Sequence, residues 1–362
     1  MAPDDTLWEA PPHTLAKHAI LRAYLQAWFP ILASRNQRII YYDGFAGPGR
    51  YLGGEEGSPL IALSVARDHR AHLDAEVRFS FVEERPDRAN HLRSELGRTE
   101  TPAHFAVKVI DGTFEDSLRR DLDDLERIGA AIAPTFAFID PFGIKGLPFE
   151  LIARLLRRDH CEVLITFMNV SIQRFVTELP EQVDSLIGRV GAAAEIAASE
   201  DRVLRARELY MTSLRTVARF VRFFELRDQK NVPIYDLFFA SNHPLGHYRM
   251  KEAMWKVDDS GAYSFSDGID PRQAVLFGPT PGRDYAPELW QRFRGSTVRS
   301  VKVLEHTRDH TAFLEKHARE ALKLLEIDGV EGKRITVAPI KADGKPRRPR
   351  TYPDGSTITF SN

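Results

Sequence analysis

One cysteine, Cys161, occurs in the 362 residues. A lone cysteine excludes an internal disulfide framework and a zinc site built on cysteines. No apolar run reaches the ~18 residues that would cross a membrane. The opening residues, MAPDDTLWEAPPHT, lack the basic-then-apolar order of a secretory leader. Together these absences lead us to expect a cytoplasmic protein without membrane contact. Net charge is also nearly lacking: 50 Lys and Arg stand against 51 Asp and Glu. Total charge therefore says nothing about partners, and only its distribution can.

What is present is an alternation. Residues 15–33 carry apolar side chains at helical spacing. RIIYYDG reads as a strand, and GSPLIALSVARDH as a helix with Ser58 at its N-cap and Pro59 at its first position. VRFSFVEE, HFAVKVIDG, PTFAFIDPFG and CEVLITFMN follow as strands, separated by helical stretches. The strands are apolar on both faces, as buried parallel strands are. The expected fold is α/β, an open Rossmann-like sheet wound on both sides. Residues 178–230 break the rhythm and read as a helical insertion. VPIYDLFFASNHP and GHYRMKEAMWKV then resume as strand and helix. We expect this domain to occupy 1–284. Over 285–362 we expect a small α+β module: a helix with apolar positions 314, 318, 321, 322 and 325, then two short strands, GKRITVAPI and GSTITF. Residues 333–350 hold seven Lys or Arg and one acid. A helix followed by a basic hairpin suggests a winged-helix-like module, and a merely solvated hairpin is about equally consistent. Its candidate nucleic-acid contacts are Lys333, Arg334, Lys345, Arg347, Arg348 and Arg350.

YYDGFAGPGRY places Asp43, Gly44, Phe45, Gly47 and Gly49 just past the first strand, where glycines let backbone approach a ligand. Glu83 ends the second strand, a position from which an acid commonly binds ribose hydroxyls. Asp111, followed by Gly112, ends the third and could accept from an adenine amino group. Asp140 ends the fourth. From Asp43 to Glu83 is forty residues, against the ~20 of dinucleotide folds. The next helix starts late, near Ser58, and Asp43 would repel a pyrophosphate. A cofactor carrying a sulfonium and an ammonium suits that carboxylate, which favours S-adenosylmethionine over NAD. Lys17 and His18 begin the first helix and either lie over the cofactor or mark an ordinary surface start. Asn169, after the fifth strand, is a weaker substrate candidate. His243, His247 and Arg249 have no convergent acid, so we expect no metal site.

KHAILRAYLQAW, YYDGFAGPGRY, EGSPLIAL, FSFVEERPDRANHL, IDGTFEDSL and FIDPFGIKGLPFELIARLL together resemble the three-Cys-motif partner protein family, TcmP. The resemblance runs through most of 15–257. It implies a class I S-adenosylmethionine-dependent methyltransferase fold and cofactor, and a partner protein that bears the three cysteines. Asp140-Pro141-Phe142-Gly143 is similar to the turn after strand four of amino-methyltransferases, and its Phe-Gly form to that of tRNA guanine-N2 methyltransferases. The chemistry is direct. An exocyclic amine has its lone pair delocalised into the ring. Asp140 and the Pro141 carbonyl can each accept one N–H, while Phe142 stacks on the base, worth ~1–3 kcal/mol. The structural alternative is that Asp140 caps the next helix and Phe142 packs in the core.

Two functions of different kinds follow. The first is methyl transfer to an exocyclic amine of a DNA or RNA base, with the basic segment holding phosphates. The second is a binding or adaptor module that keeps the pocket and presents nucleic acid to a partner enzyme. A methyltransferase of protein or small-molecule amines is a third, weaker possibility.

Overall fold

The structure is a computed structural model that describes residues 4–267 and 280–362. Among these, residues 4–257 with 264–267 form one compact unit, and 258–263 with 280–362 form another.

In chain order the first unit runs α1 (Pro12–Ala33), β1 (Arg38–Asp43), α2 (Ser58–Arg67), β2 (Glu76–Glu83), α3 (Pro86–Gly97), β3 (Phe105–Asp111), α4 (Phe114–Arg127), β4 (Thr135–Ile139), α5 (Phe149–Leu156) and β5 (Cys161–Phe167). It continues with α6 (Asn169–Phe175), α7 (Pro180–Ile187), α8 (Ala192–Ala197), α9 (Arg202–Arg215), β6 (Phe220–Arg227), β7 (Pro233–Ser241), α10 (Pro244–Trp255) and β8 (Ser264–Ser266). The sheet order is β3-β2-β1-β4-β5-β7-β6-β8. Strands β1 to β5 are parallel, and β7 runs antiparallel to β5 and β6.

Sequence pattern explains which strands sit where. Every residue of β4 and β5 is buried, and both are mainly apolar without alternation. The edge strand β3 is only partly covered: Phe105 and Ile110 are buried, while Ala106, Lys108 and Asp111 are exposed. Helix α1 buries Ile20, Leu21, Tyr24, Leu25, Trp28 and Phe29 on one broad face. Full burial of each large apolar side chain contributes ~1.5–3 kcal/mol, offset by the entropy of ordering the chain. Helices on both faces make the fold a doubly wound, mixed α/β sheet. The chain leaves β1 toward β3, then returns through β4 on the other side of β1. The crevice between the C-terminal ends of β1 and β4 is therefore the topological switch point, where open α/β sheets bind ligands.

Two expectations change. Within 178–230, the helical reading holds for α7, α8 and α9, but FVRFFELR is strand β6. Charges at Arg222, Glu225 and Arg227 hid its strand character. Arg207 of α9 explains how such charges survive there: it pairs with Glu225 and with the buried Asp236 of β7, the latter at 2.7 Å. Ser58 is not an N-cap side chain. Gly57 holds the N-cap position, and the Ser58 hydroxyl turns to Asp43 instead.

The second unit contains α11 (Pro281–Phe293), β9 (Thr297–Arg299), α12 (Ser300–His310), α13 (Glu315–Ile327), β10 (Ile335–Val337) and β11 (Thr357–Phe360). Its antiparallel sheet has the order β10-β11-β9. The boundary expected at 284 falls inside α11, whose Tyr285, Leu289, Trp290 and Phe293 enter this unit's core with Leu322 and Leu325 of α13.

Candidate active-site crevice

The loop after β1 is built on a buried carboxylate. Asp43 has no exposed surface and borders none of the crevice cavities described below. Its oxygens receive the Phe45 N–H and the Tyr41 hydroxyl, both at 3.3 Å, and the Ser58 hydroxyl. Burial pushes its pKa up to about 7, against these donors. The expected open counter-charge for a cationic ligand is thus a support beneath the loop. Gly44 follows because a Cβ there would sit 2.4 Å from the Phe114 ring. Gly49 is needed twice: φ is +85°, and a Cβ would meet Leu92 Cδ1 at 2.7 Å.

Glu83 ties this loop to β2. Its carboxylate accepts the Gly47 N–H at 2.8 Å and the Arg85 N–H at 2.9 Å. Burial raises its pKa, and these backbone donors oppose that rise. A carboxylate has about four acceptor positions, so two remain for a ligand. Glu83 opens onto a cavity of about 580 Å³, also lined by Phe45, Gly112, Phe114, Pro141 and Phe142. Asp111 does not join it. Its side chain is 64% exposed and pairs with Arg93 at 2.5 Å, at the end of the sheet's edge strand.

The Asp140-Pro141-Phe142-Gly143 turn closes the other side of the crevice. A second cavity of about 550 Å³ lies against it, lined by Trp8, Lys17, Tyr51, Asp140, Phe142 and Tyr235. Phe142 borders both cavities and the small cleft over Gly47 and Gly49. It is 38% exposed, so it is a wall rather than core. Asp140 pairs with the Lys17 ammonium, whose side chain is only 5% exposed and lies 5.2 Å over the Tyr235 ring. No atom comes within 4 Å of a Cβ built on Gly143, and nothing in the structure requires glycine there.

Several site residues carried little sequence signal. Trp8 meets Phe142 edge-on at 5.6 Å and Tyr51 at 5.5 Å. Arg88 lies 4.6 Å over Trp8 and 5.5 Å over Phe142. The segment before α1 is tied down by Thr6 to Asp87 at 2.6 Å and by the Leu52 N–H to the Trp8 carbonyl at 2.9 Å. A tryptophan among prolines before the first helix was the available hint. His18 is buried beside this cleft, and burial, with the Lys17 charge, pulls its pKa down to about 3. Asn169 is buried at the start of α6 beside Asp236 and borders neither large cavity.

In the second unit the six basic candidates divide. Arg347 is 7% exposed; it pairs with Glu326 at 2.5 Å and donates to the Thr351 carbonyl at 3.0 Å. Lys333 pairs with Glu331 at 2.8 Å, and Arg334 donates to the Asp328 carbonyl at 3.0 Å. Lys345, Arg348 and Arg350 are exposed. Among the described residues, no three His, Cys, Asp or Glu side chains gather to hold a metal. Nor is any described helix long and apolar enough to cross a membrane.

No protein-family model matches the chain, and no curated protein does. Solved structures match at low identity. Protein LPL1258 of Legionella pneumophila str. Philadelphia 1, under the family model DUF519, is 12% identical with a TM-score of 0.41, covering 68% of this chain and 91% of that one. A candidate O-methyltransferase from Klebsiella pneumoniae is 13% identical with a TM-score of 0.34, covering 67% and 93%. A candidate caffeoyl-CoA O-methyltransferase from Staphylococcus aureus is 12% identical with a TM-score of 0.29, covering 60% and 82%. At such scores these likenesses carry no functional weight.

Proposed function

We propose that this chain is an S-adenosylmethionine-dependent methyltransferase acting on an exocyclic amine of a DNA or RNA base, in concert with a partner of the three-cysteine type. The observation that carries the reading is the position of Asp140-Pro141-Phe142. The turn borders the glycine-loop cleft on one side and an aromatic-lined cavity on the other, at the sheet's switch point. The antiparallel β7 beside β5 supports this class over a dinucleotide enzyme, whose classic sheet continues parallel through six strands.

The residues fit the cofactor. Glu83 would take the ribose hydroxyls, the Gly47–Gly49 backbone would take the amino-acid end, and the stacked Phe45 and Phe114, 5.5 Å apart, would wall the adenine. The bound cofactor supplies the methyl group. The chain's part is to hold the amine. Asp140 accepts one of its N–H groups and receives the proton that nitrogen sheds as it gains the methyl. Lys17 donates to the same carboxylate and steadies it; spare acceptor positions leave room for the substrate N–H. Phe142 and Trp8 flank the base. The helix, strand, helix, helix, strand, strand order of the second unit supports a winged-helix reading, and with it a grip on nucleic acid.

One observation favours the adaptor reading instead: Lys17 already occupies one oxygen of Asp140. Calorimetric titration decides between them. Micromolar binding of S-adenosylmethionine but not NAD, lost in Glu83→Ala, followed by transfer of labelled methyl to nucleic acid, is the expected result. Failure to bind either ligand would favour the adaptor.

A further inference from the structure

The face of α13 turned away from the core is basic. His317, Ala318, Ala321, Leu322 and Leu325 point inward, while Lys316, Arg319 and Lys323 are exposed on the opposite side. Seven residues separate the first and last, about 10 Å along the axis, or roughly three base-pair steps. The one acid among them, Glu320, leans on the start of α11, where a Cβ on Gly282 would meet its own Cβ at 2.5 Å. Arg319 also pairs with Glu315 at 3.3 Å, an exposed contact of little strength.

A second basic element is held beside this helix. The hairpin between β10 and β11 carries the exposed Lys345, Arg348 and Arg350, and Pro346 and Pro349 stiffen it. Glu326, on α13 itself, anchors it: Arg347 pairs with that carboxylate, and the Tyr352 hydroxyl donates to it at 2.6 Å. Arg347 is therefore a tie between arm and helix rather than a phosphate contact. The tie fixes the spacing of two cationic elements, which a solvated loop would not need.

We propose that the second unit docks on double-stranded DNA, with the outer face of α13 in the major groove and the Lys345–Arg350 arm on the adjoining backbone. A single α-helix fits the ~12 Å major groove of B-form DNA. The deep, narrow major groove of A-form RNA does not admit one. The inference rests on the nucleic-acid part of the proposed function and is independent of methyl transfer.

The test uses the full chain without cofactor. Fluorescence anisotropy follows binding to a 25-base-pair DNA duplex, an RNA duplex and single strands of the same sequence, at several salt concentrations. DNA duplex should bind about tenfold tighter than RNA duplex. Lys316→Ala/Arg319→Ala/Lys323→Ala should weaken DNA binding at least tenfold and flatten the slope of log K against log salt by about 2 to 3, since each lost phosphate contact removes about 0.9. Arg347→Met should weaken binding with a nearly unchanged slope. All α13 changes are at exposed positions, and melting curves confirm the fold. Equal or tighter binding of RNA duplex or single strand, no binding at all, or a wild-type slope in the α13 variant would overturn the proposal. Methyl transfer is measured beside binding on the same wild-type protein, so failed methyl transfer with intact DNA binding would sink only the enzymatic reading.

Discussion

Charge is handled in opposite ways in the β1–β4 crevice and on the basic face of the second unit. In the crevice, Asp43, His18 and Lys17 are out of water, and each has its protonation or its geometry set by neighbours. On the basic face, Lys323, Lys345, Arg348 and Arg350 stay solvated. Desolvation makes the first region all-or-none: remove one member and a partner is stranded. Solvation makes the second graded and sensitive to salt. The one exception on the basic side, Arg347, behaves like a crevice residue because it is buried against Glu326.

The largest effect should come from the crevice. Asp140→Asn should reduce methyl transfer by roughly 10²–10³-fold while cofactor affinity stays near wild type, since a fixed acceptor at the reacting atom is lost. Wild-type transfer rates in a single-turnover assay would end the proposed mechanism. Next, Glu83→Ala should weaken S-adenosylmethionine by about tenfold or more, because the Gly47 loop loses its tie and the ribose its acceptor. Unchanged calorimetric affinity would move the cofactor elsewhere.

A pH experiment sharpens the contrast further. Asp43 stays protonated in the folded chain up to about pH 7, while the unfolded carboxyl ionises near 4. Its contribution to stability therefore falls as pH rises from about 4 to 7. His18 stays neutral in the folded chain down to about pH 3, while the unfolded ring charges below about 6.5. Its contribution falls as pH drops through that window. The two slopes oppose each other in the wild type. Relative to wild type, Asp43→Asn should lose several degrees of melting temperature between pH 6.5 and 4.5, and His18→Gln should gain. Parallel profiles for all three proteins would refute both shifts.

The smallest effects distinguish neighbours on the basic arm. Arg347→Ala should cost about 1–3 kcal/mol of the second unit's stability in urea melts, because Glu326 and Thr351 lose a buried partner. Arg348→Ala should leave stability within about 0.5 kcal/mol and lower only DNA affinity, with a salt slope about 0.9 shallower. The reverse pattern would mean the arm is tied differently.

Much of this was legible in the chain. The β1 to β5 alternation could be read because buried parallel strands are apolar runs bounded by turns, as FAFIDPFG shows. The glycine loop and Asp140 could be placed on one sheet edge because strand ends carry that information. Strand β6 was not legible, since its charges are neutralised by Arg207, eighteen residues upstream of Glu225. Trp8, Arg88 and Tyr235 were not legible as site residues, because their contacts join segments with no periodic relation.

The sequence by itself determined the layering, the strand ends and the chemistry available at them, because hydrophobic period and turn residues act locally. Only the tertiary structure decided which acids share a site. It put Asp140 against Lys17, sank Asp43 beneath its loop, and turned Asp111 out to Arg93. Burial and pairing are set by what packs across the sheet, and no local pattern carries that.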